Sequence, residues 1–461
     1  MDSTMIGQRR TSVWAVLMAL VAVVVAGFVL SIGPVVGAIL LFAVIVGIVV
    51  FVHPIVGLVA CILSLVAGQL VRIPIGSEGV LLPNDILLPG LAAGWLWNGM
   101  LAKRVRFPAS PLSWPIATML AVFVLTFIGG LSQFPFLTGR EQLVSALYIV
   151  RWAEYALLLF IIADVVRTEA TGKRLLWTLF GAAGIVTVLG FIQLKLFPNF
   201  SSMVPQGWDP HIGRMLSTWF DPNFLGGFLS FIAVIAGALA LLAKGRSSVA
   251  LWAFAAFLSV GVVLTFSRSG YAAFIAGVFV LTFLRSKRLF LLFVVVAGLV
   301  VTTVPRVHDR VVGAFNVDET AKTRIVSWKN ALTVYADHPV FGIGYNTYRY
   351  VQVDYGFQKD AADHSAGGSD SSLLTILVTT GPVGLLAFCW MLWAYASIAW
   401  KSFKKGTTPL IRGLGLGALA AMASVVAHSF FINSLLFPHM METIAVTFGI
   451  LIGLRALEAR T

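Results

Sequence analysis

Charged residues are scarce in this 461-residue sequence: they make up 11% of the chain, whereas 59% of the residues are hydrophobic. Soluble globular domains carry about 25% charged residues, so this composition predicts a polytopic membrane protein. The basic residues outnumber the acidic ones and give a formal net charge of +13. Because they sit mostly in short loops between apolar runs, they indicate membrane orientation, and we expect no nucleic-acid partner.

Cysteine is also rare, and the two present, Cys61 and Cys389, each lie inside an apolar run. No disulfide, zinc or haem spacing exists, so we interpret both as small core residues. The histidines and carboxylates likewise form no HxxxH, HxH or DxD pattern. The sequence therefore predicts neither a metal site nor a cofactor.

Long apolar runs dominate the chain, and each is long enough to cross about 30 Å of hydrocarbon. We therefore expect fourteen transmembrane helices. Twelve is the alternative, because the breaks between segments at 31–34 and 53–54 are weak. The predicted fold class is an all-α polytopic membrane protein. The predicted segments are 13–30, 32–52, 54–71, 85–101, 114–132, 142–163, 175–196, 222–243, 249–267, 269–285, 289–304, 371–397, 409–431 and 436–456.

Lysine and arginine predict the orientation of these segments. If the N-terminus is cytoplasmic, 19 of the 32 basic residues fall in cytoplasmic connections or termini, and every short basic loop lies on that side. We therefore expect both termini in the cytoplasm. The outer face then receives three larger pieces: 72–84, 197–221 and 305–370.

Within the last piece, residues 320–339 have the pattern of a helix. Thr320 is a candidate N-cap and Pro339 follows the end. An apolar stripe predicts a helix lying on the membrane surface or, equally well, one packed on its own loop. The stripe consists of Ile325, Trp328, Leu332 and Tyr335.

Arg268, in the stretch LTFSRSGYAAF (264–274), is the only charged residue between Arg246 and Arg285. The predicted topology puts it in a tight turn at the outer end of a span. One interpretation is an arginine that anchors a helix end. The other is an anion site that faces its guanidinium fork toward a phosphate, together with Arg324 and Arg214 from two further outer segments.

A second candidate region is ADHSAGGSDSSLL (362–374), where His364 and Asp370 surround a glycine-rich loop. A base on such a loop, beside a cationic patch, could deprotonate a sugar hydroxyl. The alternative is structural, because Asp370 or Ser371 could cap the following helix.

These segments resemble the O-antigen ligase and polymerase superfamily of membrane transferases, which act on undecaprenyl-pyrophosphate-linked glycans. The resemblance covers roughly 210–390 and keeps the order of the motifs. The matching stretches are STWFDPNFLGGFL (217–229), SRSGYAAF (267–274), RIVSWKNAL (324–332), HPVFGIGYNTY (338–348) and DSSLLTILVTTGPVGL (370–385).

The resemblance implies a GT-C-like helical fold, an active site on the outer face of the bacterial cytoplasmic membrane, and catalysis without metal or nucleotide. Arg268 and Arg324 would hold the pyrophosphate of the lipid-linked oligosaccharide. In the mechanism that we expect, Arg214 joins them, and His364 or Asp370 orients or deprotonates the acceptor hydroxyl. Membrane lipid and a chain-length regulator are further expected partners. The implied organisation is an N-terminal bundle (1–204), a core (205–400) and C-terminal helices (401–461).

One departure from the ligase pattern favours a polymerase. Where ligases of this family have a histidine before a small polar residue, nine further residues and Gly-x-x-Gly, this chain has Asp370. The first hypothesis is therefore a polymerase that joins lipid-linked repeats by an inverting transfer. The alternatives are an O-antigen ligase, a transporter of lipid-linked glycans, and a non-catalytic scaffold.

Overall fold

The computed structural model describes residues 47–75, 79–101, 110–206, 208–313, 319–361 and 367–460. Its main elements are α1 (Pro54–Ala67), β1 (Ile73–Ile75), β2 (Gly79–Leu81), α2 (Pro83–Leu101), α3 (Ser113–Gln133), α4 (Gly139–Val165), α5 (Glu169–Leu196), α6 (Pro222–Leu242), α7 (Gly245–Leu264), α8 (Arg268–Arg285), α9 (Lys287–Thr303), α10 (Pro305–Val312), α11 (Glu319–Asp337), α12 (Tyr348–Asp354), α13 (Ser372–Lys405), α14 (Pro409–Ser429) and α15 (Pro438–Glu458).

The all-α membrane fold is confirmed, since each predicted segment from residue 54 onward corresponds to a helix. Nine described helices are long and apolar enough to span a membrane, or ten if α9 and α10 form one bent span. The first predicted segment and most of the second lie outside the described residues, and the total span count stays a prediction. The short antiparallel pair β1–β2, in the segment 72–84, was not predicted.

The described residues fall into two compact units. Of the described residues, the smaller contains 47–61 and 84–101. Its helices meet at Gly94, where a side chain would collide with the backbone of Phe51, and at Gly57, where a Cβ would lie 2.9 Å from Leu91 Cδ1. This unit is therefore built on close approach at glycine, as is common between membrane helices.

The larger unit, residues 62–83 and 107–461, is organised around α6. This helix is buried along nearly its whole length and packs against α7, α8 and α14. Near its C-terminal end, Ala238 joins Leu281 of α8 and Phe403 of α13 in one apolar cluster. At the end of α13, the Lys405 carbonyl accepts a 3.3 Å hydrogen bond from Arg455 Nη1 of α15.

These contacts gather several of the lysine- and arginine-rich connections at one end of the larger unit. The start of α6, the turn before α8 and the end of α14 lie at its other end, because α6 and α8 run parallel and α14 antiparallel to them. The segregation agrees with the predicted topology. Which side of the membrane each end faces stays a prediction.

The kink in α13 brings two of the sequence motifs into contact, the stretch 338–348 and the stretch 370–385. Gly381 leaves the helical region (φ 67°, ψ −173°), and Pro382 lacks an N–H for the carbonyl of Val378, four residues earlier. The freed carbonyls of Val378 and Thr379 accept hydrogen bonds of 3.0 Å from the N–H groups of Ile343 and Gly344. The Gly-Ile-Gly segment thus satisfies the backbone of the broken helix, as burial in a membrane requires.

The helix predicted over 320–339 is α11, and of its predicted apolar stripe Trp328 and Tyr335 are half-buried. It begins at Glu319, so Thr320 is not the N-cap. Ala331 and Val334 are fully buried in a cluster with α12 and α13, whereas Ile325 and Leu332 are exposed. The helix is therefore packed on its own loop, and part of the predicted apolar stripe remains on its open face.

One cysteine also differs from the sequence-based interpretation. Cys61 is buried, as expected of a small core residue, whereas Cys389 is exposed on α13. Both are free thiols. An exposed cysteine on an apolar helix fits a surface in contact with lipid, where a thiol behaves as a small apolar side chain.

Candidate active site

The N-terminus of α6 is the centre of the site. Asp221 is the N-cap, and its Oδ1 accepts hydrogen bonds from the N–H groups of Asn223 (2.6 Å) and Phe224 (3.0 Å). The Asn223 Oδ1 in turn accepts a 2.7 Å bond from Ser267 Oγ and a 3.3 Å bond from Ser269 Oγ. The motif residues of α6 and α8 are therefore joined side chain to side chain.

Two glycines allow this contact. A Cβ at Gly226 would lie 3.3 Å from Gly270 Cα, and one at Gly270 would lie 3.2 Å from Gly226 Cα. Ser230 Oγ also donates to the Gly270 carbonyl across 3.2 Å. The helix starts therefore lie side by side, and the partial positive charges of both N-termini are directed to the same end of the unit.

Arg268 occupies the first position of α8, in the tight turn that the sequence predicted. Ser267 is the N-cap and accepts a 3.1 Å hydrogen bond from the Gly270 N–H. The Arg268 guanidinium is half-buried, and its Nη1 donates to the Gly313 carbonyl across 3.3 Å. The side chain therefore lies against the end of α10.

Arg214 contacts the same turn from the loop before α6. Its Nε donates to the Thr265 carbonyl (2.9 Å) and its Nη2 to the Phe266 carbonyl (3.2 Å). Burial, followed by the charge of Arg310, lowers the pKa of Arg214 to about 10, and the carboxylate of Asp221 opposes this shift. The guanidinium remains charged at neutral pH, in surroundings that already contain other cations.

His211 lies in the same loop as Arg214. Burial lowers its pKa, and Asp221 and Asp209 act in the opposite direction. Its Nε2 is buried, and no hydrogen-bond partner is found for it among the described residues. A neutral imidazole is therefore held next to the arginine loop.

Arg324 reaches the site by another route. It is half-buried on α11, and its charge interacts with His428 at the end of α14. The His428 Nδ1 lies 2.5 Å from Ser434 Oγ, and its ring packs on Gly227 of α6. The Asp221 carboxylate acts electrostatically on both His428 and Arg214, which puts Arg214 and, through His428, Arg324 in the neighbourhood of the start of α6. Arg268 begins the helix that lies beside it.

Asp370 has a left-handed backbone (φ 54°) and directly precedes α13. The N-cap of that helix is Ser371, whose Oγ accepts a hydrogen bond from the Leu374 N–H. The capping role therefore belongs to Ser371 and not to Asp370. Burial and the charge of Asp370 raise the pKa of the Tyr348 hydroxyl. The carboxyl group thus lies near Tyr348, whose buried OH has no hydrogen-bond partner within the described ranges.

A polar network ties the Asp370 segment to the His428 segment. Thr375 Oγ1 lies 2.9 Å from Ser369 Oγ and donates to Asn433 Oδ1 across 2.9 Å. Asn433 directly precedes Ser434, the partner of His428. The second predicted catalytic residue, His364, lies outside the described residues.

The structure adds residues that sequence reasoning missed, above all Arg306 and Arg310 on α10. The charges of both act on Arg214. Their spacing of four residues was visible in the sequence, but the fold that brings them here was not. In the described part of the chain, no group of three or more His, Cys, Asp and Glu is placed to hold a metal ion.

A comparison with protein-family models matches residues 252–389 to the O-antigen ligase family. The matched segment contains Arg268, Arg324 and Asp370, whereas Arg214 precedes it. No curated protein matches the chain. The chain is thus a multi-pass membrane protein in which residues 252–389 match the O-antigen ligase family. The resemblance to the O-antigen ligase and polymerase superfamily is confirmed over this segment.

Proposed function

We propose that this protein is a polymerase that joins undecaprenyl-pyrophosphate-linked repeat units at the outer face of the bacterial cytoplasmic membrane. The observation that carries the proposal is the convergence of Arg214, Arg268 and Arg324 on the start of α6. This end of the unit lies opposite the lysine- and arginine-rich connections. A cationic site at the membrane boundary, away from the cytoplasmic loops, suits a substrate that presents a diphosphate at headgroup depth.

In the proposed reaction, the arginines bind the diphosphate of the donor chain. Asp370 or His364 accepts the proton of a hydroxyl group on the acceptor repeat. The hydroxyl oxygen attacks the anomeric carbon, the new glycosidic bond forms as the bond to the diphosphate oxygen breaks, and the lipid diphosphate leaves. The lipid diphosphate of the donor is already a good leaving group. The enzyme must therefore chiefly position the acceptor and stabilise the negative charge that develops on the phosphate.

The description of the matching family as O-antigen ligase favours a second candidate function. A ligase would transfer the finished glycan from the same lipid carrier to lipid A-core or another acceptor. Both functions use the same donor and the same arginines. They differ in the acceptor, and Asp370 at the position of the ligase histidine is the reason for placing the polymerase first.

The experiment that tests the proposal incubates the purified protein with lipid-linked repeat units from its own host, without nucleotide sugar, and resolves the glycans by gel. A ladder of longer glycans is expected. Arg268→Ala should slow its formation about 10²- to 10³-fold, the usual cost of losing one preorganised charge-stabilising group. Arg174→Ala, at an exposed site on α5, is the control and should leave the ladder unchanged.

A conjugate that forms only after lipid A-core is added would identify a ligase instead. If neither product forms with active donor, the catalytic proposal is wrong. Retention of configuration at the new linkage would exclude the single-displacement reaction but leave the polymerase assignment standing.

A further inference from the structure

The helix α10 is directed across the start of α8 by a sharp bend. Its axis makes an angle of 103° with that of α9, and Pro305 occupies its first turn. Arg306 and Arg310 are one turn apart and therefore share a face of this helix. The preceding helix α9 has no buried residue, so α10 is held in place mainly by its own contacts.

Arg306 supplies these contacts. Its Nη1 donates to the Gly213 carbonyl (2.7 Å) and its Nη2 to the Ile212 carbonyl (2.6 Å). The guanidinium also lies 4.4 Å above the ring centroid of Phe266. Since both Nη atoms donate to backbone carbonyls of the loop that carries Arg214, Arg306 fixes α10 against that loop.

Arg310 has different surroundings. It is half-buried, and its charge acts on Arg214, Arg306 and His211, and also on the hydroxyl of Tyr271. Its side chain makes no hydrogen bond or ion pair to another described residue. Among the described carboxylates, Asp221 acts on Arg214 and His211, Asp209 acts on His211, and Asp221 already caps α6. Within the described residues, three guanidinium groups thus lie close together with few carboxylates to balance their charge.

Such an arrangement is unfavourable in the protein alone and becomes favourable when an anion binds between the cations. We propose that Arg310 and Arg214 together bind one phosphate group of a lipid diphosphate, and that Arg306 is the positioning residue that holds α10 for this purpose. This inference rests on the proposed function, since it adds a ligand for the diphosphate of the lipid-linked substrate. The headgroup of an anionic phospholipid has the same phosphate chemistry, and the test must separate the two.

The test uses the purified full-length protein in detergent and farnesyl diphosphate as the probe, with binding measured by calorimetry. Arg310→Ala should weaken the binding of this probe about 10- to 100-fold, as expected for the loss of one charge-assisted hydrogen bond. Arg310→Lys should retain part of the affinity. The matched control is Arg288→Ala, which removes an exposed arginine near the other end of α9 and should leave the affinity unchanged.

A thermal melt distinguishes a binding role from a structural one. Because Arg310 is surrounded by like charges, Arg310→Ala without ligand should melt at the same temperature as the wild type or higher. It should also lose the stabilisation that farnesyl diphosphate gives the wild type. A clearly lower melting temperature with unchanged binding would show a structural role and overturn the proposal.

A third arm replaces the probe with a short-chain phosphatidylglycerol, added to the protein in detergent. If Arg310→Ala weakens the binding of this phospholipid and leaves the affinity for farnesyl diphosphate unchanged, Arg310 is a headgroup anchor and the proposal is wrong. Binding is measured without an acceptor glycan, so the result does not depend on polymerase activity. If the wild-type protein forms the glycan ladder but Arg310→Ala binds the probe as tightly as the wild type does, this inference is wrong and the proposed function stands.

Discussion

Arg214 donates from Nε to the carbonyl oxygen of Thr265 across 2.9 Å, and this bond joins the loop before α6 to the turn that begins α8. The adjacent Nη2 donates to Phe266, whose backbone is left-handed (φ 47°). One guanidinium therefore both stabilises the turn that presents Arg268 and adds a charge beside it. The planar fork is required for the first role, whereas any cation serves the second.

Replacing Arg214 separates these two roles. Arg214→Lys keeps the charge but cannot bind both carbonyls with a fixed fork, so we expect the rate of ladder formation to fall about 10-fold. Arg214→Ala loses the charge as well, and its rate of ladder formation should fall about 10²- to 10³-fold. The rates of glycan formation, with Arg174→Lys as the control, measure both effects. A lysine variant with wild-type rate would show that the hydrogen bonds to the turn are not needed.

The structure allows the role of Asp370 to be tested without loss of the helix cap. Ser371 caps α13, so Asp370→Asn should leave the thermal stability nearly unchanged. If Asp370 is the base, the same substitution should slow turnover about 10²- to 10⁴-fold. The measurements are the melting temperature and the single-turnover rate with lipid-linked repeats.

The neighbouring Ser371→Ala provides the opposite pattern. Loss of the N-cap should destabilise the protein by about 1 kcal/mol, with a small effect on turnover. If Asp370→Asn retains the wild-type rate, the proton acceptor is another group, and His364→Gln becomes the next variant to measure.

The sequence predicted those features of the site that depend on neighbouring residues. The turn at Arg268 follows from Ser267 and Gly270 on either side of it, and the helix α11 follows from its periodicity and the proline after it. These are local signals, and the structure contains both features. The choice between Asp370 and Ser371 as the cap could not be made, because both residue types cap helices well.

Relationships between distant segments were not predictable from one sequence. Arg306 and Arg310 join the site only because the bend before α10 lays this helix across the 211–214 loop. His428 joins it because α14 ends beside Gly227, and the two are separated by two hundred residues of chain. The bases of these contacts are crossing angles and close approach at glycine, which composition and periodicity do not encode.

The contact between Gly227 and His428 provides a second matched pair of variants. A Cβ at Gly227 would lie 2.6 Å from His428 Cε1 and 2.8 Å from Nδ1, so the ring must shift, and its contact with Ser434 Oγ is disturbed. Gly227→Ala should therefore reduce both turnover and thermal stability, the latter by roughly 1–3 kcal/mol.

The control for this pair lies on the same helix. At Gly237 the nearest atom to an added Cβ is 3.6 Å away, an ordinary contact distance. Gly237→Ala should be tolerated, with wild-type turnover and an unchanged or slightly raised melting temperature. Equal effects of the two substitutions would show that α6 tolerates no added volume anywhere, and the specific role of the His428 contact would be withdrawn.

The kink of α13 provides the last prediction. Gly381 has a left-handed φ of 67°, and an added Cβ would collide with the carbonyl group of Val340. Gly381→Ala should thus straighten or displace the helix start that carries Asp370 and Ser371, and detach the Gly-Ile-Gly segment from its carbonyl partners. We expect the backbone strain to destabilise the protein by roughly 1–3 kcal/mol and the activity to be lost. The control is Gly298→Ala on α9, where no atom lies within 4 Å of the added carbon, and it should show neither effect. Thermal melts and ladder assays of the two variants measure this, and an active, stable Gly381→Ala would mean that the kink does not position the site.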